Sequence, residues 1–374
     1  MPYKASVQSN IVLATTTVTA ANLGSTLFAS ANNFFEGYTK SYSSFDEVRN
    51  EVRNDPAIPS DSNAYSALSL AFNAPTTAVP IYLGRRSVDL ATYTPSASAI
   101  GLVKVYTMTI KTGDFTDVVE YTSLVADDAE AVCTGLKAII DGGTTDVTAT
   151  VTGTGDDAVL DIAESGLETA VITTLSNLSV SFATTETAAD LLTNILSEAL
   201  EDFYYFTCED KTQAFVLAMA SEIQSTASSD FPKQYHVTVS EEEVLTPLPD
   251  PAIDTLGKLK ELGYTLTAGR WHDLAETVFT EVYAPAALGS FEPLQGRNWK
   301  FQIPVGIKAA ADLVSKKRLT KGQQGYIEDR NASWYGVERG VTFNHGGKMA
   351  SGNWIDNILL SHRISDLQEV AWLE

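Results

Sequence analysis

WKFQIPVGI at residues 299–307 and GGKMASGNWID at residues 346–356 frame the stretch that decides the fold of this chain. The first run is apolar and predicts a buried strand. The second predicts a glycine turn followed by a strand, because Gly346 and Gly347 permit positive φ angles at which a side chain would clash. Between the two runs lies an unusually basic segment, residues 308–321, whose pattern predicts a helix.

Upstream of this stretch, helix-like and strand-like segments alternate along the chain. Such alternation predicts a mixed or parallel sheet with helices packed on it. The first helix has Ser44 as its N-cap and Glu47 three residues later, as in a capping box. The other predicted helices are 62–73, 188–200, 212–225, 251–262 and 271–283, and the predicted strands are 79–84, 203–207, 235–239 and 264–267.

The segment 95–185 differs in composition, being rich in Thr, Val, Asp and Gly. Its pattern predicts a hairpin, a helix and a second hairpin. The helix begins after Asp127 or Asp128, either of which can cap it, and ends at Gly142-Gly143. We expect these hairpins (103–111 with 118–122, and 147–151 with 159–163) to form one four-stranded sheet under the helix, as a self-sufficient insertion.

The predicted fold class is therefore α+β or α/β and multidomain, with mixed sheet layers and helices plus an inserted hairpin–helix–hairpin β-rich domain. Residues 1–94 are assigned to the N-terminal part of the core domain with a leading arm. Residues 95–185 are assigned to the inserted, protruding domain, and residues 186–374 to an α/β core domain.

Composition excludes several classes of partner. The chain has 374 residues and a formal net charge of -22, which argues against binding to nucleic acid or to an anionic membrane surface. No apolar run is long enough for membrane insertion. Cys133 and Cys208 are far apart in apolar, helix-like surroundings, so we expect small buried hydrophobic groups rather than a disulfide.

Few residues suggest chemistry. His272, Asp273 and Glu276 could form an acid–base or metal cluster, because His and Glu four residues apart share one face of a helix. The favoured interpretation is simply a helix start with Asp near its positive end, since zinc needs at least three convergent ligands. The acidic triplet 241–243 is interpreted as a solvated loop, because it lacks the spacing of a calcium loop. We predict no cofactor and no metal site.

Two features have both a structural and a functional interpretation. The basic residues Lys308, Lys316, Lys317, Arg318 and Lys321 are either a solvated helix face or a pad that meets an acidic surface on a partner protein. The short apolar run Ile11, Val12 and Leu13 is either part of a frayed terminus or a strand lent to a neighbouring subunit.

The two runs quoted first resemble the tail sheath proteins of contractile-tailed bacteriophages. The likeness rests on Trp299-Lys300-Phe301 with Val305-Gly306-Ile307, and on the turn 347–356. Leu262-Gly263-Tyr264 and the neighbourhood of 284–287 fall where that family has similar sequence, and Arg85 and Arg86 stand where it has an arginine just after a strand. The resemblance covers 1–94 loosely and 188–374 better.

The resemblance implies a structural subunit without catalysis, which polymerises as a helical cylinder and contracts. The partners that it implies are neighbouring copies of itself, the tail tube protein, and the baseplate and tail terminator proteins, in a virion tail assembled in the host cytoplasm. Family members usually continue beyond the place matching Trp372-Leu373-Glu374 with a C-terminal arm. We therefore expect this chain to lack that arm region and to stay monomeric in solution. The alternatives are another tail or baseplate component, or a carboxylate-based hydrolase using Asp273 and Glu276.

Overall fold

The computed structural model describes fourteen stretches of the chain, and every structural statement below concerns them. They are residues 24–50, 58–60, 62–74, 77, 79–112, 115–143, 147–163, 171–200, 202–229, 231–288, 299, 314–338, 341–362 and 364. The predicted strand at Ile11–Leu13, residues 300–307 of the first quoted run, and Lys308 lie outside the described residues.

The strands are β1 (Thr26–Ala31), β2 (Thr39–Tyr42), β3 (Ile81–Arg86), β4 (Leu90–Pro95), β5 (Val105–Thr112), β6 (Phe115–Thr122), β7 (Ala149–Thr152), β8 (Val159–Ala163), β9 (Val171–Ser176), β10 (Leu178–Ala183), β11 (Tyr205–Cys208), β12 (Gln234–Val239), β13 (Thr267–Trp271), β14 (Trp334–Glu338) and β15 (Val341–His345).

The helices are α1 (Phe45–Arg49), α2 (Asn63–Phe72), α3 (Ala129–Ile140), α4 (Ala188–Ala199), α5 (Gln213–Ser225), α6 (Thr255–Leu262), α7 (Tyr283–Leu288), α8 (Lys321–Asp329) and α9 (355–362). Many of the helices begin after a residue whose side-chain hydroxyl or carboxylate accepts a backbone N–H of the first turn. The predicted caps Ser44 and Asp128 accept hydrogen bonds from the backbone N–H groups of Glu47 and Ala131.

The core domain is built on a six-stranded sheet of order β13-β12-β11-β1-β3-β2, in which only β2 is antiparallel to its neighbour. Side chains alternate between its faces. Leu27 and Ala29 of β1 pack toward α4, α5 and α6, whereas Phe28 packs toward α2 and α7. The sheet is therefore buried between two layers of helices, and the predicted α/β architecture is confirmed.

The region between β3 and α4 contains the predicted hairpins and helix, but the predicted single four-stranded sheet is wrong. The first hairpin joins β9 in a sheet of order β6-β5-β9, and the second joins a sheet of order β10-β4-β8-β7. The two sheets meet where β9 runs into β10 through Asn177, which has a φ of 58°. Helix α3 packs against β6 of one sheet and β7 and β8 of the other, so both share one core.

The division at residues 95 and 185 stays a prediction. Strand β4 lies almost entirely upstream of residue 95, yet it pairs with β8 and β10 of the inserted region.

Three local predictions are wrong. Residues 272–279 form turns rather than a helix, because the Nδ1 atom of His272 accepts the N–H of Leu274 at 3.0 Å and closes a local turn. Residues 314–320 are irregular, and the helix begins only at Lys321, where Thr320 and Gln323 form a capping box. The glycine turn is followed by α9 rather than a strand; its N-terminal turn contains Asp356, which suits the positive end of a helix.

Candidate functional site

The glycine turn closes the outer edge of the core sheet. A Cβ atom on Gly346, whose φ is 98°, would lie 2.7 Å from the Oγ atom of Ser333. Ser333 donates its N–H to the carbonyl of Gly269 in β13 at 3.0 Å, and Ala350 donates its N–H to the carbonyl of Thr267 at 2.7 Å. The turn and the segment before β14 therefore cover the edge strand β13, which would otherwise expose unpaired backbone groups.

Trp299 joins the two ends of the stretch that decides the fold. Its backbone N–H donates to the carboxylate of Asp356 at 3.2 Å, and its carbonyl accepts from the side-chain amide of Asn344 at 2.9 Å. Its ring lies against His236 and Tyr205, with centroids 5.3 Å and 5.8 Å away. Residues 299 and 356, far apart in sequence, thus dock as one unit on the core sheet.

The basic residues within the described part of the segment remain on the surface. Lys316, Arg318 and Lys321 are exposed, and Lys317 is partly exposed. The ammonium of Lys317 pairs with the carboxylate of Glu242, and its backbone N–H donates to Asp273 at 2.9 Å. The chain thus anchors the segment at Lys317 and presents the other three cations outward.

Only two of the three residues His272, Asp273 and Glu276 lie together. One carboxylate oxygen of Asp273 is 3.5 Å from Nδ1 of the buried His272 and the other accepts the N–H of Lys317, whereas Glu276 is exposed. The contact of Glu276 is a 3.5 Å approach to the hydroxyl of Ser240. Among the described residues no group of three or more His, Cys, Asp or Glu could hold a metal ion. The turn therefore positions the basic segment through the bond between Asp273 and Lys317.

The acidic triplet is structural. The carboxylate of Glu241 accepts the N–H of Thr255 at 2.6 Å, and its carbonyl accepts the indole N–H of Trp271 at 3.0 Å. The carbonyl of Glu243 accepts from the guanidinium of Arg330 at 3.0 Å. The solvated-loop interpretation describes the exposed side chain of Glu242, but it misses these anchoring bonds.

Sequence reasoning missed the buried charges. Arg330 is paired with Asp254, and Lys211 with Glu281, and all four side chains are almost completely buried. A charged residue beside a helix end gives no sequence signal that its partner lies 70 or more residues away. These pairs tie separate segments of the core together.

Carboxylates surround Arg86 where the core sheet meets the inserted region. Arg86 lies 3.3 Å from Asp210, and the nearby Glu186 accepts the N–H of Ser87 at 3.0 Å. Burial raises the pKa of Glu186, and burial likewise raises the pKa of Glu209, which accepts the N–H of Ala31. Arg85 and Arg86, which the resemblance places just after a strand, are instead the last two residues of β3, and both are buried.

Comparison of the whole chain with solved structures finds a sheath tail protein from Desulfitobacterium hafniense. The match has a TM-score of 0.50 and 10% sequence identity and covers 92% of this chain and 77% of that one. The chain shares its fold with a sheath tail protein. The resemblance predicted from residues 299–356 is thereby confirmed at the level of the fold.

A second similar structure is the helical sheath of the anti-feeding prophage in its contracted state. The TM-score is 0.46 and the identity 10%, with coverage of 98% of this chain and 75% of that one. No family model and no curated protein matches the sequence. Within the described residues, no helix combines the length and the apolar character needed to cross a bilayer.

Proposed function

We propose that this chain is a structural subunit of a contractile tail sheath. It polymerises as a helical cylinder around a tail tube and contracts to drive that tube through a host envelope. The observation that carries the proposal is the shared fold with a sheath tail protein over 92% of this chain. The hydrogen bond between Trp299, the first residue of one quoted motif, and Asp356, the last residue of the other, supports it.

Assembly in this proposal uses two kinds of contact. The run Ile11–Leu13 adds as a strand to an edge on a neighbouring subunit, because backbone ladders tolerate rotation of the bodies that they join. Lys316, Arg318 and Lys321 face an acidic surface on a neighbour or on the tube, and Lys317 anchors the segment that carries them. Repeated contacts that do not close into a dimer generate a helical polymer.

Contraction requires two packings of the same subunit, with the extended one metastable. A difference of a few kcal/mol per subunit suffices, because it is summed over the whole cylinder. The partners are the tube protein and the baseplate and terminator proteins of a virion tail, and assembly takes place in the host cytoplasm. Catalysis has no part in this proposal.

The test is electron microscopy of the chain co-expressed with the tube and baseplate proteins of a contractile tail. We expect striated cylinders around tubes, of which a fraction is short and wide. The chain purified alone should sediment as a monomer, because assembly starts on the tube. Finding the chain only in a baseplate, or tubes that remain bare, would contradict the proposal and favour another tail component.

A further inference from the structure

The inserted region points its far end away from the core sheet. At the core, the N–H of Asp89 donates to the carbonyl of Ala183 at 2.9 Å, and the carboxylate of Asp89 accepts the N–H of Thr185 at 2.6 Å. From there β4 and β10 run side by side and end where Leu178 pairs with Pro95. Six residues of strand span about 20 Å.

Strand β5 runs back from this far end toward the core. Its first residue, Val105, accepts a hydrogen bond from the side chain of Asn177 at 2.8 Å, beside Leu178. Near its other end, Lys111 forms an ion pair with Glu36 of the core at 2.8 Å. The loop before β5 and the loop after β6 therefore both lie at the far end of the inserted region.

These two loops are held together and expose apolar side chains. The hydroxyl of Ser123 donates to the carbonyl of Leu102 at 2.7 Å, and the N–H of Ser123 donates to the carbonyl of Lys104 at 2.9 Å. We define the apolar tip as five exposed residues in these loops and at the start of β5: Leu102 (48%), Val103 (60%), Val105 (40%), Leu124 (65%) and Val125 (69%). The exposed cation Lys104 lies among them. A group of exposed apolar side chains of this size is often functional.

The acidic groups beside the apolar tip are directed into the fold. The carboxylate of Asp127 accepts the N–H of Leu124 and the hydroxyl of Tyr121, both at 2.8 Å. Asp128 accepts the N–H of Ala131 at the start of α3. In a chain with a formal net charge of -22, the tip is thus a place where two copies can touch without opposing carboxylates.

We propose that the apolar tip docks on a neighbouring copy of this chain in the assembled polymer, an inference that rests on the proposed sheath function. Its exposed surface is on the order of a few hundred Å², whereas a stable pair buries about 800 Å² per partner. The tip alone therefore does not bind a second copy of the chain that is free in solution. It binds once other contacts have brought the copies together and raised the effective concentration.

The test compares two single-cysteine sites on the same hairpin. Cys133 and Cys208 are fully buried, so Val125→Cys and Val118→Cys each add one reactive thiol. Val118 is the matched control, because it is 68% exposed and lies in the half of β6 nearer the core. Maleimide labelling rates are measured for dispersed subunits and for cylinders assembled on tubes.

We expect assembly to slow labelling of Val125→Cys at least tenfold. The labelling rate of Val118→Cys should stay within twofold of its rate in the dispersed subunit. Cylinders in which Val125→Cys reacts as fast as in the dispersed subunit, or in which both sites slow equally, would overturn docking by the tip while leaving the sheath function intact. Failure of the unmodified chain to form cylinders would instead remove the sheath function, and this inference with it.

Disruption of the tip gives a second readout. The double variant Leu124→Glu, Val125→Asp places carboxylates on the tip, and Val118→Asp is its control. We expect the double variant to reduce the fraction of chain in cylinders at least fivefold, with the thermal unfolding midpoint of the dispersed subunit unchanged. Equal loss of assembly in both variants would argue against a contact specific to the tip.

Discussion

At the scale of single residues, Arg330 fastens three segments of the core. Its guanidinium holds the carboxylate of Asp254 through contacts of 2.8 and 3.0 Å, and it donates to the carbonyls of Thr246, Tyr326 and Glu243. Asp254 in turn caps α6. Such a network is stable only while every member is present, because a lone buried charge is costly.

Removal of this guanidinium should therefore be severe. We expect Arg330→Met to lower the free energy of unfolding by about 3–5 kcal/mol in urea titrations, since Asp254 is left buried without its partner. The matched control is Arg49→Met, which breaks an exposed pair with Asp46 and should cost about 1 kcal/mol or less. A similar loss in both variants would show that the buried network adds nothing.

His236 makes stability depend on pH. Burial, with a smaller effect from Arg270, lowers its pKa to about 3, so the folded state keeps the imidazole neutral. The free energy of unfolding that the neutral imidazole contributes is fully present above the unfolded-state pKa near 6.5. It is lost as the pH falls toward 3, by about 1.4 kcal/mol per pH unit. The raised pKa values of Glu186 and Glu209 change stability with pH in the opposite direction. Because the folded state favours protonation of these carboxylates, their effect on stability becomes more favourable as the pH falls.

The variant His236→Phe separates these effects. Between pH 6.5 and pH 5 the unmodified chain should lose roughly 2 kcal/mol more than the variant, because only the variant lacks the group that must be protonated on unfolding. Urea titrations of both proteins at several pH values measure the difference. Parallel pH profiles would mean that His236 is not held neutral by the fold.

At the scale of elements, the glycine turn that covers β13 is more demanding than an ordinary loop. A Cβ atom on Gly346 would meet Ser333 and the carbonyl of Ala332 at 2.7 and 2.8 Å, at a φ of 98°. We expect Gly346→Ala to cost about 1–3 kcal/mol from the backbone alone, and more from the clash. Hydrogen exchange should show the loss first in the backbone bonds between Ala350 and Thr267.

A second glycine provides the control for that variant. Gly325 lies inside α8, and a Cβ atom there meets nothing within 4 Å. Gly325→Ala should therefore stabilise the chain by about 0.5–1 kcal/mol, because alanine is the better helix former. Destabilisation by both alanines to the same degree would contradict a special role for the turn.

Local signals explain which elements could be predicted. Helix α3 was predictable because its cap, Asp128, and its apolar stripe are both local in sequence. The split of the inserted strands into two sheets was not, because it depends on β9 and β10 turning at Asn177 and pairing with distant strands. The helix predicted at 271–283 does not form over residues 272–279, because the side chain of His272 competes for a backbone N–H.

Local sequence signals were likewise insufficient to predict the surroundings of the candidate site. The basic residues could be found by composition, but their support could not, because Glu242 and Asp273 meet Lys317 only through the folding of the core. The apolar tip could not be found either, since Leu102 and Leu124 become neighbours only when the hairpin forms. The sequence shows which residues are charged or apolar, whereas the topology of the fold decides which residue each of them contacts.

At the scale of the whole molecule, the charge distribution sets the terms of assembly. A net charge of -22 makes copies repel one another, and in the proposed sheath the surface cations Lys316, Arg318 and Lys321 oppose that repulsion at one place. Each exposed pair typically contributes about 0.2–1 kcal/mol, so three of them contribute about 0.6–3 kcal/mol per subunit. That is a change of about threefold to hundredfold in the concentration needed to assemble.

We therefore expect the triple variant Lys316→Gln, Arg318→Gln, Lys321→Gln to raise this concentration at least about threefold, and to weaken its dependence on salt. Lys317 is left unchanged because it anchors the segment to Glu242. Lys137→Gln, which removes a cation paired with Asp141 on α3, is the control for charge alone. Sedimentation of cylinders over a range of salt concentrations measures both quantities. If the triple variant assembles like the control, the cations belong to a solvated face, and assembly rests on the strand and apolar contacts.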